Sequence, residues 1–205
     1  DDSIKVMNTI YPQPKLSVSA PVEKCFGDSV RVAIKINTPA GLKITDYTCN
    51  WSNDAPTTGT MAAGADSIIV FHVFSNAGNQ SVTVFVRSGT PGTCFSDTVT
   101  VPVYINRLPL PNYTIAPVSC AGEVVSFTDL SSSADGAINK WKWIFGNTLV
   151  SSLQNPSTTY ASPGTYTSSL QVESNKGCIS TVLSKPVVVN YLPQPNFGTP
   201  EVCLT

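Results

Sequence analysis

The sequence predicts an all-β protein built as two small sandwiches in series. Three observations carry that expectation. Apolar and polar residues alternate at period two over runs of six to eight residues. A two-proline phrase recurs at Tyr11-Pro12-Gln13-Pro14, Leu108-Pro109-Leu110-Pro111 and Leu192-Pro193-Gln194-Pro195, each followed 10 to 13 residues after its first proline by Cys25, Cys120 or Cys203. A second spacing agrees: Cys94 lies 8 residues before Pro102 and 15 before Pro109, as Cys178 lies 8 before Pro186 and 15 before Pro193. Self-similarity of this kind marks a tandem array.

The repeat sets the boundaries. Two complete units fall at residues 9–106 and 107–190. Residues 191–205 read as the opening of a third. Residues 1–8 read as the last strand of an upstream unit, because Asp2–Asn8 resembles the stretch Lys185–Asn190 before the next proline phrase. The alternative is that Asp1 is a mature N-terminus. Each junction proline fixes its own φ and biases the preceding residue to extended backbone. Pro-x-Pro is therefore a short, semi-rigid spacer, and units joined this way are expected to form a rod. No signal peptide or membrane span is visible, and no membrane insertion is expected.

The strands follow in order. Val30, Val32, Ile34 and Ile36 take one face of a strand in the first unit, and Val82, Val84 and Val86 one face of another. In the second unit Val124–Asp129 is a strand. Ile138–Phe145 is the central one, with Trp141, Trp143 and Phe145 on one face and Lys140, Lys142 and Ile144 on the other. Asn155-Pro156 begins a turn. Ser162-Pro163-Gly164 turns the chain into the strand Thr165–Glu173, and Asn175-Lys176-Gly177 is a hairpin turn before Cys178. No window offers a capped helical stripe.

Only 12% of residues are charged and the net charge is −1, so nothing favours nucleic acid or an anionic membrane as partner. Ser and Thr total 46 residues, which suits many short strands with hydroxyl-rich outer faces. Units this small often add a disulfide. Cys25 and Cys94 occupy the same places in the first unit as Cys120 and Cys178 in the second, which pairs them Cys25–Cys94 and Cys120–Cys178. Closing loops of that length is worth about 4 kcal/mol apiece in the chain-entropy model. Cys203 would then find its partner elsewhere. Cys49 has no counterpart in the second unit and reads as a buried free thiol. The spacings form no zinc motif.

Trp143-Ile-Phe-Gly-Asn147, Asn155-Pro156, Tyr160, Pro163-Gly164-Thr165-Tyr166 and Gly177-Cys178 resemble the polycystic-kidney-disease (PKD) domain. The resemblance spans the second unit. The first, through Cys49-Asn-Trp51-Ser and Gly78, resembles a divergent PKD-like or immunoglobulin-like relative. With the recurring cysteines and Pro-x-Pro junctions, the chain is similar to PKD arrays of Bacteroidota surface proteins exported by the type IX system, gliding-motility adhesins among them. The resemblance implies immunoglobulin-like sandwiches of seven strands, an extracellular cell-surface place, and a non-catalytic spacer or adhesin role. It implies neighbouring repeats, surface polysaccharide or other surface proteins as partners of a monomeric chain. Two positions depart from the family motif: Ile144 replaces its first Asp, and Asn147-Thr148 replaces its Asp-Gly.

Candidate sites are few. His72, the single histidine, lies in the apolar run Ile68–Phe74 and reads as an ordinary strand residue, so no catalytic group is expected. Calcium could draw on Glu123, Asp129 and Asp135, or on Asp46 and Asp54, but no loop has the dense acids of a dedicated site, and no cofactor is expected. Trp141 is a candidate sugar-stacking ring, while Trp143 beside it on the same face reads as core. Asp-(Ser/Thr)-apolar triplets place candidate O-glycosylation at Ser3, Ser29, Ser67 and Thr98, resembling the acceptor used by Bacteroidota. Such a triplet reads equally as a strand start. The competing function is a carbohydrate- or protein-binding module, accessory to a secreted hydrolase.

Overall fold

The alternating runs form strands, and the described residues contain no helix. The computed structural model describes residues 12–40, 42–89, 94–117 and 120–192. The flanking stretches 1–8 and, beyond Leu192, 193–205 lie outside it, with Ser3 and Cys203. The chain divides into two units, Asp1–Arg107 and Leu108–Thr205.

Unit 1 holds β1 (Lys15–Ser19), β2 (Glu23–Cys25), β3 (Val30–Asn37), β4 (Ile44–Trp51), β5 (Thr57–Thr60), β6 (Ser67–His72), β7 (Gly78–Ser88) and β8 (Val99–Asn106). One sheet has the order β1-β3-β6 and the other β2-β8-β7-β4-β5. The two sheets bury their alternating faces against each other. Val30, Val32 and Ile34 meet Val82, Val84 and Val86, with Trp51 and Phe74 completing the core. β1 runs antiparallel to β3, whereas β2 runs parallel to the end of β8, pairing Cys25 with Asn106. The first strand thus changes sheet midway, as immunoglobulin-like sandwiches allow.

Unit 2 repeats the plan with β9 (Tyr113–Ile115), β10 (Val124–Asp129), β11 (Ile138–Ile144), β12 (Val150–Ser151), β13 (Ser157–Thr159), β14 (Gly164–Ser174) and β15 (Leu183–Val189). Its sheets are β13-β10-β9 and β12-β11-β14-β15. A single parallel bridge, Cys120 to Asn190, stands where β2 pairs with β8. Its core is aromatic: Tyr113, Phe127, Trp143, Phe145 and Tyr160.

Register aligns the units residue by residue. Pro102 sits opposite Ser81 and Pro186 opposite Thr167, so Ser81 and Thr167 are equivalent. Three residues further along, Val84 faces Cys49 and Leu170 faces Trp143. Cys49 therefore does have a counterpart. It stands where Trp143 stands, and Trp51 stands where Phe145 stands. The tryptophan has moved two residues along one face, which period two permits without turning it outward. The same bulge interrupts both pairings, between Ile44 and Asp46 and between Ile138 and Lys140.

Candidate functional site

Each unit carries two cysteine cradles, one where the chain leaves the sandwich and one at the opposite end. The exit cradle is a Cys-x-Gly-acid turn. In unit 1 the Asp28 amide donates to the Cys25 carbonyl at 3.0 Å, and the Cys25 amide donates to Asp28 Oδ2 at 3.4 Å. In unit 2 Glu123 does the same for Cys120, at 3.2 and 3.3 Å. Both turns need the left-handed conformation, at Gly27 (φ 89°) and Gly122 (φ 87°). Both dock on an asparagine at the end of the last strand: the Phe26 amide reaches the Asn106 carbonyl at 2.8 Å, and Ala121 reaches Asn190 at 3.0 Å.

The second cradle closes the β7–β8 and β14–β15 hairpins. The Ser88 amide donates to the Cys94 carbonyl at 2.9 Å, and the Cys94 amide donates to Ser88 Oγ at 2.9 Å. Ser174 and Cys178 repeat the exchange at 2.9 and 3.3 Å. One step further in, the hydroxyls of Ser96 and Ser180 accept from the amides of Val86 and Val172. These four serines are buried, so each hydroxyl satisfies backbone that water cannot reach.

This arrangement corrects the expected bridges Cys25–Cys94 and Cys120–Cys178. Cys94 and Cys120 are free thiols. Cys25 and Cys178 are disulfide-bonded. The reason is distance. Cys25 lies beside Asn106 at the end of β8, whereas Cys94 precedes Val99 at its start. A strand of that length separates them by more than ~20 Å at ~3.3 Å per residue. A disulfide needs Cα atoms within ~7 Å. β15 separates Cys120 from Cys178 in the same way. Cys49 is the buried free thiol expected, and burial pushes it up to about 11, which makes it inert.

His72 stacks on Trp51 with centroids 4.1 Å apart and planes 6° apart, and its Nε2 lies 2.8 Å from Asp54 Oδ2. The Ser75 hydroxyl donates to the other oxygen of the same carboxylate. Serine and histidine both point at Asp54 rather than at each other, so the set lacks the serine–histidine bond a nucleophile requires. The sequence hides this cluster because its members are 18 and 21 residues from Asp54.

Trp141 is half-buried at the edge of the core, and its indole N–H donates to Asp129 Oδ2 at 2.7 Å. Of the acids weighed for calcium, Glu123 caps the Cys120 turn and Asp46 pairs with Arg87 at 2.7 Å. Among the described residues no three His, Cys, Asp or Glu side chains gather into a metal-sized group. Asp135 belongs to no such group. Ser29, Ser67 and Thr98 are exposed, each at the start of β3, β6 or β8. No helix among the described residues is long and apolar enough to cross a membrane.

A groove of about 410 Å³ crosses the outer face of β4, β5 and β7, between Tyr47, Phe85, Phe95 and the Asp46–Arg87 pair. It joins aromatic surface to a fixed polar fork.

The family model described as PKD domain matches residues 106–189. The PKD1 domain of Vibrio anguillarum Epp is 30% identical, over 42% of this chain and 99% of that one, with a TM-score of 0.39. The PKD1 domain of the Vibrio cholerae metalloprotease PrtV is 25% identical, over 40% and 98%, at 0.37. The fibronectin(III)-like modules of Clostridium thermocellum CbhA are 14% identical, over 90% and 100%, at 0.40. No curated protein matches the chain. Through the unit spanning residues 106–189, the chain belongs to the PKD domain family.

Proposed function

We propose that this chain is a non-catalytic extracellular repeat segment, serving as a semi-rigid spacer in a large bacterial surface adhesin of the kind Bacteroidota export by the type IX system for gliding or attachment. One observation carries the reading: the same sandwich, with the same two cradles, is built twice on either side of Pro109-Leu110-Pro111. A protein that needs chemistry from a sandwich varies its loops, whereas one that needs length repeats the sandwich. The disulfide supports an oxidising, extracellular setting. Neighbouring repeats are its first partners. Surface glycans on Ser29, Ser67 and Thr98 would suit such a place. Tandem duplication of the two units tests the spacer. Electron micrographs of the purified protein should show contour length growing by a fixed step per unit. Particles whose length does not follow unit number would overturn the reading.

The groove on unit 1 favours a second reading, a carbohydrate-binding module. Tyr47, Phe85 and Phe95 offer ring faces to a sugar and Asp46 and Arg87 offer hydrogen bonds to its hydroxyls. On this reading Phe95→Ala abolishes retention on polysaccharide columns and leaves folding intact. Equal retention of both proteins would remove it. Trp141, tied at its N–H and packed on the core, offers the lesser surface of the two.

A further inference from the structure

β6 is an edge strand of unit 1. In the sheet β1-β3-β6 one side of it pairs with β3, and its other side meets no strand among the described residues. The Ile36 amide donates to the Asp66 carbonyl at 2.7 Å, which sets the phase of the ladder. Every second residue from there, Ile68, Val70 and His72, turns its backbone toward β3. The amides and carbonyls of Ile69 and Phe71 therefore point to the open side. Their side chains stand on the outer face of the sheet, 49% and 62% exposed, and Val73 follows at 51%. An edge of this kind is a template for another strand, and proteins ordinarily blunt it with lysine, proline or a very short strand. Other edges of the chain are blunted in those ways. β13, the equivalent of β6 in unit 2, has three residues, follows Pro156 and engages its Thr159 carbonyl with Asn147. β1 opens on Lys15, and β15 carries Lys185 and Pro186. β6 runs for six residues with neither proline, lysine nor acid.

We propose that β6 is a self-association edge: two copies of this chain pair their β6 strands antiparallel and join two β1-β3-β6 sheets into one continuous sheet. A second copy fits because a two-fold axis sets each group against its own kind. A register centred on Val70 places Ile69 of one copy opposite Phe71 of the other and keeps both outer faces outward. Both residues turn their backbone to the open side, so each such pair exchanges its two backbone hydrogen bonds. A charged edge would repel itself across the axis, whereas Ser67, Ile69, Phe71 and Val73 carry no charge. The cations of the neighbouring strand, Arg31 opposite Phe71 and Lys35 opposite Ser67, lie on β3. At about 4.8 Å per strand, β3 and its counterpart would stand about 14 Å apart. That exceeds the screening length of about 8 Å at physiological salt. The seam is apolar with its cations at the rim, the usual order of a specific interface. One strand pair is a small interface, so the association is weak and depends on concentration. The pairing uses unit 1 alone and does not rest on the spacer reading.

Sedimentation of the 205-residue chain over a concentration series tests it, with the free thiols alkylated so that disulfide-linked dimers cannot form. The expected result is a reversible monomer–dimer equilibrium. The Ile69 and Phe71 amides should exchange more slowly with solvent as concentration rises. Ile69→Lys and Phe71→Lys should each raise the dissociation constant about tenfold or more. Both side chains are exposed, so the melting midpoint of each variant should stay near that of the parent. Mixing Ile69→Lys chains with Phe71→Glu chains sets the two new charges opposite each other, and dimers with one chain of each should return. A chain that stays monomeric throughout the series overturns the proposal, and so does a dimer that both lysine variants leave unchanged. A mixture that forms no mixed dimer refutes the antiparallel register centred on Val70.

Discussion

Unit 1 and unit 2 share one topology and fill it with different chemistry. Unit 1 packs valines and isoleucines between its sheets and keeps Trp51 at the end of β4. Unit 2 packs rings: Trp143 stands edge-on to Tyr113 with centroids 5.0 Å apart and tilts against Phe127 at 5.6 Å. Rings bring polar tips that must be satisfied. The Tyr113 hydroxyl donates to the Ser168 carbonyl, Tyr160 to Phe145 and Trp143 Nε1 to Leu153, each at 2.9 or 3.0 Å. Burial pushes Tyr160 up to about 12, so these hydroxyls stay neutral donors. An aliphatic core of this plan needs only volume, whereas an aromatic one also fixes where particular carbonyls lie. The PKD model matches residues 106–189, and unit 1 falls outside the matched residues.

The largest break in this comparison is expected at one shared position. Trp143 is fully buried, and Trp143→Ala should cost unit 2 about 3–5 kcal/mol. Cys49 holds the same place in unit 1 and is just as buried, yet Cys49→Ala removes only one small group and should cost about 1 kcal/mol. Denaturant melts read by hydrogen exchange in each unit would separate the two. Equal losses would mean the two cores are not filled differently at that register.

Acid should weaken unit 1 through a contact with no match in the sequence of unit 2. Asp54 is held below the usual carboxylate range, first by the Ser75 hydroxyl and then by His72. A carboxyl whose folded value lies below its unfolded value stabilises the fold above about pH 3.9, and that stability is lost as pH falls through the folded value. Unit 1 should therefore lose stability from about pH 4 downward, and Asp54→Asn should flatten that part of the curve. Breaking the cluster with Asp54→Ala at neutral pH should cost about 1–2 kcal/mol. A pH profile unchanged by Asp54→Asn would place the acid sensitivity elsewhere.

The turn after β11 shows strain that unit 2 could shed. The family motif ends in Asp-Gly, and here Asn147-Thr148 stands in its place. Thr148 sits at φ 71°, where a β-branched residue is disfavoured. Asn147 holds the turn, its amide donating to the Thr159 carbonyl at 2.9 Å while its oxygen accepts from Leu149. Thr148→Gly should stabilise unit 2 by about 1 kcal/mol. Gly146→Ala should do the reverse and more, because at φ 77° an added Cβ would lie 2.7 Å from the Thr167 carbonyl oxygen. Thermal melts of the two variants shifting the same way would deny the turn its role.

Much of this was legible in the sequence, and the rest was hidden for identifiable reasons. Period two exposed the strands because one face of each is buried, and the proline and cysteine spacings exposed the repeat. The spacings could not expose the pairing of cysteines. Equivalent positions say that two cysteines recur, not which end of a strand each occupies, and Cys25 reaches the end of β8 only because the first strand changes sheet. Trp51 aligns by eye with Trp143, yet register equates it with Phe145, because side-chain identity is a poorer guide than the backbone ladder. The His72–Asp54 cluster and the outer groove join residues distant in sequence.

The smallest expected effect lies on the surface, where the units repeat a contact with its charges exchanged. Beside the shared bulge, Asp46 on β4 pairs with Arg87 on β7 at 2.7 Å. Lys140 on β11 pairs with Glu173 on β14 at 2.6 Å. The two sites are equivalent, so acid and base have traded strands. A fold that depended on the sign of either partner would not tolerate the exchange. Each pair is open to water, and an open pair returns little beyond the entropy it costs to hold two long side chains. Lys140→Glu with Glu173→Lys, which gives unit 2 the charge order of unit 1, should change its stability by no more than about 0.5 kcal/mol. The single change Lys140→Glu, which sets like charges opposite each other, should cost about 0.5–1 kcal/mol in low salt and less at 0.5 M salt, where screening shortens the reach of the repulsion. A double-mutant cycle with a coupling several times larger would show that the cross-strand pair, rather than the bulge beneath it, fixes the register of β11 on β14.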